Sequence, residues 1–129
     1  MVIELDYAYL ADYATVADGK LSAIGASFTH AKVAPGVESM NLSLAGRFRA
    51  PEDTTGARVQ VEVQGPGDRF NVKADAVIEV TNPGRPYGGK IGILFAFNLT
   101  IPVVGTGLYV VTLYLEGEQV RRLAFDIEA

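Results

Sequence analysis

Side chains that usually carry acid–base or metal chemistry are sparse in this sequence. Its 129 residues include one histidine, His30, and no cysteine. One histidine cannot build a multi-histidine zinc site, and the absence of cysteine excludes disulfides, thiolate metal sites and thiol nucleophiles. His30 is the one side chain expected to titrate near neutral pH, so a hydrolase would have to use it. Because it stands beside Thr29 near the end of a strand pattern, a surface position is the competing interpretation.

The carboxylates are scattered over separate turns. Glu52 and Asp53 adjoin in one loop, whereas Asp18 and Asp68 lie in two others. Calcium usually takes about six to eight oxygen ligands from a dense acidic loop, and no such loop is present in the sequence. The pattern therefore predicts no metal and no cofactor, and it identifies no catalytic residue.

The long interruption at residues 81–90 is the main candidate for binding a ligand or a partner. It carries Arg85, Tyr87 and Lys90 on a frame of proline and glycine. Arginine and tyrosine often anchor interfaces, and binding residues concentrate in loops that a rigid sheet displays. The alternative is an ordinary connection in which proline and glycine only shape the backbone.

The same loop formally matches the spacing of a phosphate-binding loop. Gly84, Gly89 and Lys90 fit the pattern G-x-x-x-x-G-K. Ile91 stands where a serine or threonine would bind magnesium, and a strand pattern follows where a helix would supply amide donors. We therefore expect no nucleotide site at this loop.

Apolar and polar residues alternate through most of the chain, as in half-buried strands. Turn signals rich in glycine, proline and aspartate separate the rows at a spacing of about ten residues. The apolar rows fall within residues 5–13, 21–32, 42–48, 59–63, 70–80, 91–101, 109–115 and 123–127. About eight short strands at this spacing predict an all-β, antiparallel β-sandwich, jelly-roll or immunoglobulin-like, with a closed barrel as the runner-up. No linker, repeat or low-complexity tract divides residues 1–129, so we expect one domain.

Residues 91–115 contain no charged side chain. Within them, Leu108, Val110 and Tyr114 share the second face of a strand, which in a two-layer sandwich should meet water. An apolar outer face indicates that something covers it. The cover is either another segment of the chain or a second subunit, so these three residues are candidate interface positions in a homodimer or larger homo-oligomer.

Net charge argues against a nucleic-acid partner. Eleven lysines and arginines face fifteen aspartates and glutamates, giving a net charge of −4. The longest basic run is Arg121–Arg122, whereas a phosphate-binding surface needs clustered basic residues. No basic leader and no apolar run long enough to span a bilayer is visible, so we expect a cytoplasmic protein without a membrane partner.

Two stretches carry a family resemblance. Residues 11–14 with 18–25 (Asp-Gly-Lys-Leu-Ser-Ala-Ile-Gly) open the chain, and Gly107-Leu-Tyr109 with residues 114–118 closes it. Together they resemble a family of small uncharacterised bacterial or phage-associated proteins. The resemblance implies a β-sandwich, no established activity and no catalytic residues to transfer. It also implies that Asp18-Gly19 and Glu116-Gly117 turn hairpins, and that Gly25 marks a bulge or a close backbone approach.

Three functional hypotheses follow from the sequence. The first is a non-enzymatic interaction or structural module that associates with itself or with another protein. The second is a small-ligand-binding sandwich that uses residues 81–90. The third is a hydrolase that uses His30.

Overall fold

The computed structural model describes residues 3–81 and 84–128, which form strands joined by turns. Ten strands lie in these ranges: β1 (Glu4–Ala11), β2 (Tyr13–Ala17), β3 (Lys20–Ile24), β4 (His30–Lys32), β5 (Ser39–Pro51), β6 (Gly56–Gln64), β7 (Asn71–Glu79), β8 (Lys90–Pro102), β9 (Gly107–Leu115) and β10 (Glu118–Glu128). A 3₁₀ turn at Pro66–Asp68 joins β6 to β7. The count exceeds the predicted eight because the first row breaks at Asp12 and the row at residues 21–32 divides into β3 and β4.

The strands form two facing sheets and a separate hairpin. In the described ranges, one sheet has the order β1-β5-β8 and the other the order β4-β10-β9-β6-β7, while β2 pairs with β3. All pairs are antiparallel except β4, which runs parallel to β10. Neither sheet closes on itself, so the sandwich prediction is confirmed and the barrel is wrong.

The core lies between the two sheets and contains most of the predicted apolar rows, whereas the row in β7 stays largely exposed. Phe48 and Phe95 stack from neighbouring strands of the smaller sheet with ring centroids 4.5 Å apart. Tyr109 and Phe125 stack at 5.4 Å in the larger sheet. All four are buried, and each such side chain contributes about 1.5–3 kcal/mol by leaving water.

Turn geometry explains two of the hairpins. Asp18 and Gly19 have φ of 52° and 69°, and Glu116 and Gly117 have φ of 50° and 84°. Two successive left-handed residues match the twist of the strands that they join. Both turns therefore lie where the sequence predicts them, between β2 and β3 and between β9 and β10.

Two bulges shift the faces of long strands. The register of β1 against β5 slips between Leu5 and Tyr7, so Leu5 packs on the core while Tyr7 points outward with Arg47. The expected single row through residues 5–13 is therefore wrong at its start. In β10 the register slips between Gln119 and Arg121, at the start of the basic pair Arg121–Arg122.

The β2–β3 hairpin folds over the outer face of the smaller sheet. Ala14 of the hairpin is fully buried against Ala11 and Ala45 of the sheet, and these small side chains allow the hairpin backbone to come close. Gly25 follows the end of β3 with a φ of 64°, and a Cβ there would lie 2.2 Å from the Asp12 carboxylate, so a side chain rather than backbone makes the close approach. The hairpin thus covers β8 from outside, whereas Leu108, Val110 and Tyr114 lie on the other sheet.

No helix in residues 3–81 and 84–128 is long and apolar enough to cross a membrane.

Candidate functional site: an open edge and an arginine–tyrosine cluster

The two sheets have unequal widths, and this leaves one strand uncovered. Val59 and Val61 on β6 are each 4% exposed, because the smaller sheet lies over them. Their cross-strand partners on β7, Ala76 and Ala74, point to the same side and are exposed. Val72, next along this face, is 40% exposed. The smaller sheet therefore ends at β8, and the inner face of β7 projects beyond it.

A cleft of about 280 Å³ separates β8 from this projecting strand. Val59, Val61, Ala74 and Ala76 line one wall, and residues 96–99 of β8 line the other. Phe97 and Leu99 are only half-buried there, although their row packs in the core elsewhere along β8. The lining is apolar apart from Asn98.

The edge of β8 differs in charge from the other free edges. In the described ranges, β1, β4, β7 and β8 each pair with one neighbour in the two facing sheets. The other three carry charged or titratable residues, which are Glu4 and Asp6 on β1, His30 and Lys32 on β4, and Lys73, Asp75 and Glu79 on β7. After Lys90, β8 has none through Pro102. Charge on an edge strand discourages pairing with other chains, so β8 lacks the usual protection. We call β8 and the uncovered face of β7 the open edge.

The predicted loop at residues 81–90 lies at one end of the smaller sheet. Asn82 and Pro83 fall outside the described residues. Tyr87 and Lys90 exchange backbone hydrogen bonds of 2.8 and 3.0 Å around Gly88 and Gly89, whose φ values are positive. This tight turn returns the chain directly into β8 rather than into a helix, as expected from the sequence.

The turn places Tyr87 on two arginines that the sequence did not single out. The Tyr87 ring centroid lies 5.6 Å from the guanidinium carbon of Arg47 and 5.3 Å from that of Arg49. Arg47 also lies 5.1 Å from the Tyr7 ring. We call Tyr7, Arg47, Arg49 and Tyr87 the arginine–tyrosine cluster. Arg47 and Arg49 flank Phe48, whose side chain faces the core, so both arginines lie on the outer face of the sheet. Nothing local in the sequence predicts that Tyr87 contacts them.

Carboxylates on β1 fix the cations around this cluster. Arg47 Nε donates to Asp6 Oδ2 at 2.9 Å, and this bond raises the pKa of Arg47. Lys90 Nζ donates to Glu4 Oε1 at 2.6 Å, which lowers the pKa of Glu4. Arg85, the third predicted loop residue, is exposed and makes no side-chain hydrogen bond or ion pair within the described ranges. The structure thus joins Tyr87 and Lys90 to the outer sheet face and leaves Arg85 apart.

A cleft of about 800 Å³ opens between this cluster and the tip of the β2–β3 hairpin. Its lining residues are Tyr7, Val16, Gly19, Lys20, Leu21, Arg47, Gly84, Gly92 and Leu94. Two of them are charged, and both are cations. We call this space the hairpin cleft.

The predicted interface residues share the outer face of the larger sheet, but their neighbours are polar. Leu108 is 47% exposed, Val110 is buried, and Tyr114 is half-buried. The Tyr114 hydroxyl donates to Glu62 on the adjacent strand at 3.1 Å. Glu62 was not predicted, because a glutamate between valines on a strand normally marks a solvated face. This face is therefore organised around a carboxylate rather than around an apolar patch.

His30 lies on the exposed side of β4. Its Nδ1 is 3.0 Å from Thr29 Oγ1, and its Nε2 is 4.0 Å from a Glu128 carboxylate oxygen. A hydroxyl, an imidazole and a carboxylate thus meet, but on open surface, where a developing charge would be solvated by water rather than by preorganised donors. In residues 3–81 and 84–128, no three or more histidine, cysteine, aspartate or glutamate side chains are grouped so that they could hold a metal ion.

The chain was compared with protein families, with curated proteins and with solved structures. A family described as being of unknown function, DUF6941, matches residues 6–128. A search of the curated proteins finds no match. Among solved structures, a bacterial adhesin from Mobiluncus mulieris, described as containing intramolecular disulfide, isopeptide and ester bond cross-links, is similar with a TM-score of 0.51 and 14% identity. The match covers 92% of this chain and 57% of the adhesin chain, and at this identity it shows the fold alone.

Proposed function

Because the chain belongs to DUF6941, a family of unknown function, we propose its role from its geometry. It is a non-enzymatic interaction module in which two copies associate through their open edges. The observation that carries this proposal is the uncharged free edge of β8 beside the uncovered inner face of β7. An extended strand added to a free edge gains main-chain hydrogen bonds along its whole length.

A strand added to β8 would also complete the sandwich. The smaller sheet ends over β6, so the next strand in that sheet lies over the inner face of β7. Ala74 and Ala76 are small, so a second strand can pack closely over them. The added strand would therefore bury the apolar cleft as well as pair its backbone, and both effects favour association.

The occupant that best fits this edge is β7 of a second copy, turned about a twofold axis that runs along the strands. This axis exchanges the two layers, so β7 of each copy lies beside β8 of the other and both copies use the same surface. The uncovered inner faces of the two β7 strands then meet and bury Val72, Ala74 and Ala76 of each copy. Because residues 91–102 carry no charge, β8 adds no like charge to those of β7. A similar fold occurs in a protein described as a bacterial adhesin, which is compatible with an interaction role.

The solution mass tests the proposal. Size-exclusion chromatography with light scattering should give twice the 13.8 kDa mass of one chain, with dissociation on dilution. Ala76→Lys should give a monomer, because it places a charge on the uncovered inner face of β7. Val77→Lys is the matched control, since Val77 is 64% exposed on the opposite face of the same strand.

A third variant distinguishes the two candidate surfaces. Leu108→Lys should leave the dimer intact, because Leu108 lies on the outer face of the larger sheet. A monomer at every concentration would overturn the proposal, as would a dimer that Leu108→Lys dissociates and Ala76→Lys does not. Far-ultraviolet circular dichroism of each variant confirms that a change in mass is not a loss of fold.

A further inference from the structure

We propose that the hairpin cleft binds a small organic carboxylate with an apolar body. This site is separate from the inner face used in the proposed association, because its β8 residues, Gly92 and Leu94, lie on the outer face of the smaller sheet. Its volume of about 800 Å³ is within the range of sites for small molecules.

The lining of the cleft combines an apolar floor with cationic donors. Val16, Leu21 and Leu94 supply apolar surface, and Lys20 and Arg47 supply the charge. Among the described residues that line the cleft, none is acidic. A ligand that matches this lining carries its negative charge at one end and an apolar body at the other.

Arg47 is held in place before any ligand arrives. Asp6 accepts a hydrogen bond from its Nε, and the rings of Tyr7 and Tyr87 lie 5.1 and 5.6 Å from its guanidinium carbon. Its Nη1 makes no hydrogen bond with the described residues. A guanidinium fixed in this way loses little side-chain entropy when it binds an anion.

Gly92 provides the space in which this arginine lies. A Cβ at this position would stand 3.1 Å from Arg47 Cδ and 3.5 Å from a ring carbon of Tyr87. A Cβ there would require Arg47 to shift by a few tenths of an ångström, whereas its contact with Tyr87 would be an ordinary one. The glycine lets both side chains lie flat and form one wall of the cleft.

The charge of the cleft favours a monoanion. Asp6 already neutralises most of the charge of Arg47, so Lys20 supplies about one uncompensated positive charge. A carboxylate carries one negative charge, whereas a phosphate monoester at neutral pH carries up to about two and would be repelled more strongly by Asp6. The net charge of the whole chain is −4, so binding depends on the local cations rather than on the general field.

Titration of the ¹⁵N-labelled chain by NMR tests this site with defined probes. Phenylacetate and hexanoate should each shift the amide resonances of Gly19 and Gly92 in a saturable way, because both amides border the cleft. The neutral matched probe 2-phenylethanol should bind at least about tenfold more weakly, since it lacks the charged hydrogen-bond acceptor.

Two lysine variants locate the binding. Lys20→Gln should weaken phenylacetate binding by about tenfold, and it should not affect the fold because Lys20 is exposed at a hairpin turn. Lys32→Gln, an exposed lysine on β4 outside the cleft, should bind like the unmodified chain. Absence of a saturable shift with both carboxylates, equal binding of the alcohol, or unchanged binding by Lys20→Gln would each overturn the proposal.

Discussion

Tyr114 and Glu62 share a hydrogen bond of 3.1 Å on the outer face of the larger sheet, with the tyrosine hydroxyl as donor. Glu62 is only 8% exposed, and its other oxygen accepts from Asn71 at 3.0 Å and lies 3.6 Å from Lys73 Nζ. A carboxylate so far removed from water requires such partners. These partners lower the pKa of Glu62: the hydrogen bond from Asn71 has the largest effect, followed by the hydrogen bond from Tyr114 and the charge of Lys73.

We expect Glu62→Gln to reduce the free energy of unfolding by about 1–2 kcal/mol at pH 7, because it removes charge-assisted hydrogen bonds. A lowered native pKa means that the unfolded chain binds the proton more tightly. The stabilisation is therefore complete above the ordinary value of 4.5 and is lost as pH falls through the native pKa. Urea unfolding of both proteins should show a difference that shrinks below pH 4.5. Glu79→Gln at an exposed position is the control, and a difference that is independent of pH would contradict the assignment.

A second polar group, at Ser43, ties the β2–β3 hairpin to the sheet. Ser43 is fully buried; its Oγ accepts from the Ala14 amide at 3.0 Å and donates to Asn98 Oδ1. Asn98 in turn donates to the Ala14 carbonyl at 3.4 Å. A two-stranded hairpin is marginally stable alone, so these contacts and the buried alanines decide whether it stays docked.

Ser43→Ala should therefore loosen the hairpin. It leaves the Ala14 amide and the Asn98 carbonyl without their partner, at a cost of about 1–3 kcal/mol. Hydrogen exchange should show faster exchange of the Ala14 amide than in the unmodified chain. Thr100→Ala removes the exposed hydrogen bond to Asn41 on the same face and should change stability by less than about 0.5 kcal/mol. Equal exchange in the two variants would show that Ser43 does not hold the hairpin.

The period-two pattern was sufficient to predict the sandwich, because most strands have one face on the core. Val59, Val61 and Val63 alternate with polar residues and are all buried. The same pattern fails for β7, where Ala74 and Ala76 alternate correctly but remain exposed. Alternation reports which side chains share a face, not whether a second sheet reaches far enough to cover them.

The candidate sites could be predicted only in part. Tyr87 and Lys90 were identified from residue type and loop length, which are local properties. Arg47 and Arg49 became relevant because β5 lies between β1 and β8, and that sheet order depends on long-range pairing. The uncharged stretch at residues 91–115 suggested a covered outer face at Leu108, Val110 and Tyr114, whereas the free edge in this stretch belongs to β8.

Gly46 is the glycine for which we expect the most severe effect of substitution. A Cβ there would lie 2.0 Å from the Tyr7 carbonyl oxygen and 2.9 Å from Phe95 Cζ. The backbone of β1 would have to move, so Gly46→Ala should destabilise the fold by about 3 kcal/mol or more. Gly84→Ala is the control, because no atom in the part of the chain that the structure describes lies within 4 Å of its added Cβ. Thermal unfolding measures both, and similar midpoints would show that β1 can shift at little cost.

Tyr109 gives a physical reason for the Gly-x-Tyr motif at the start of β9. Its ring is fully buried against Phe125, and its hydroxyl donates to the Gly105 carbonyl at 2.8 Å and accepts from the Val104 amide at 3.0 Å. Tyr109→Phe keeps the stacking but leaves both backbone groups without the hydroxyl, so we expect a loss of about 1–3 kcal/mol in the free energy of unfolding.

The loss should be concentrated in the β8–β9 connection. Hydrogen exchange at the Val104 amide should accelerate more than exchange in β6, because the hydroxyl fixes this loop and not the sheet. Tyr13→Phe is the matched control, since Tyr13 is 52% exposed and its hydroxyl makes no hydrogen bond within the described ranges. If Tyr109→Phe and Tyr13→Phe unfold at the same urea concentration, the buried hydroxyl contributes nothing to the loop and the motif is explained by ring packing alone.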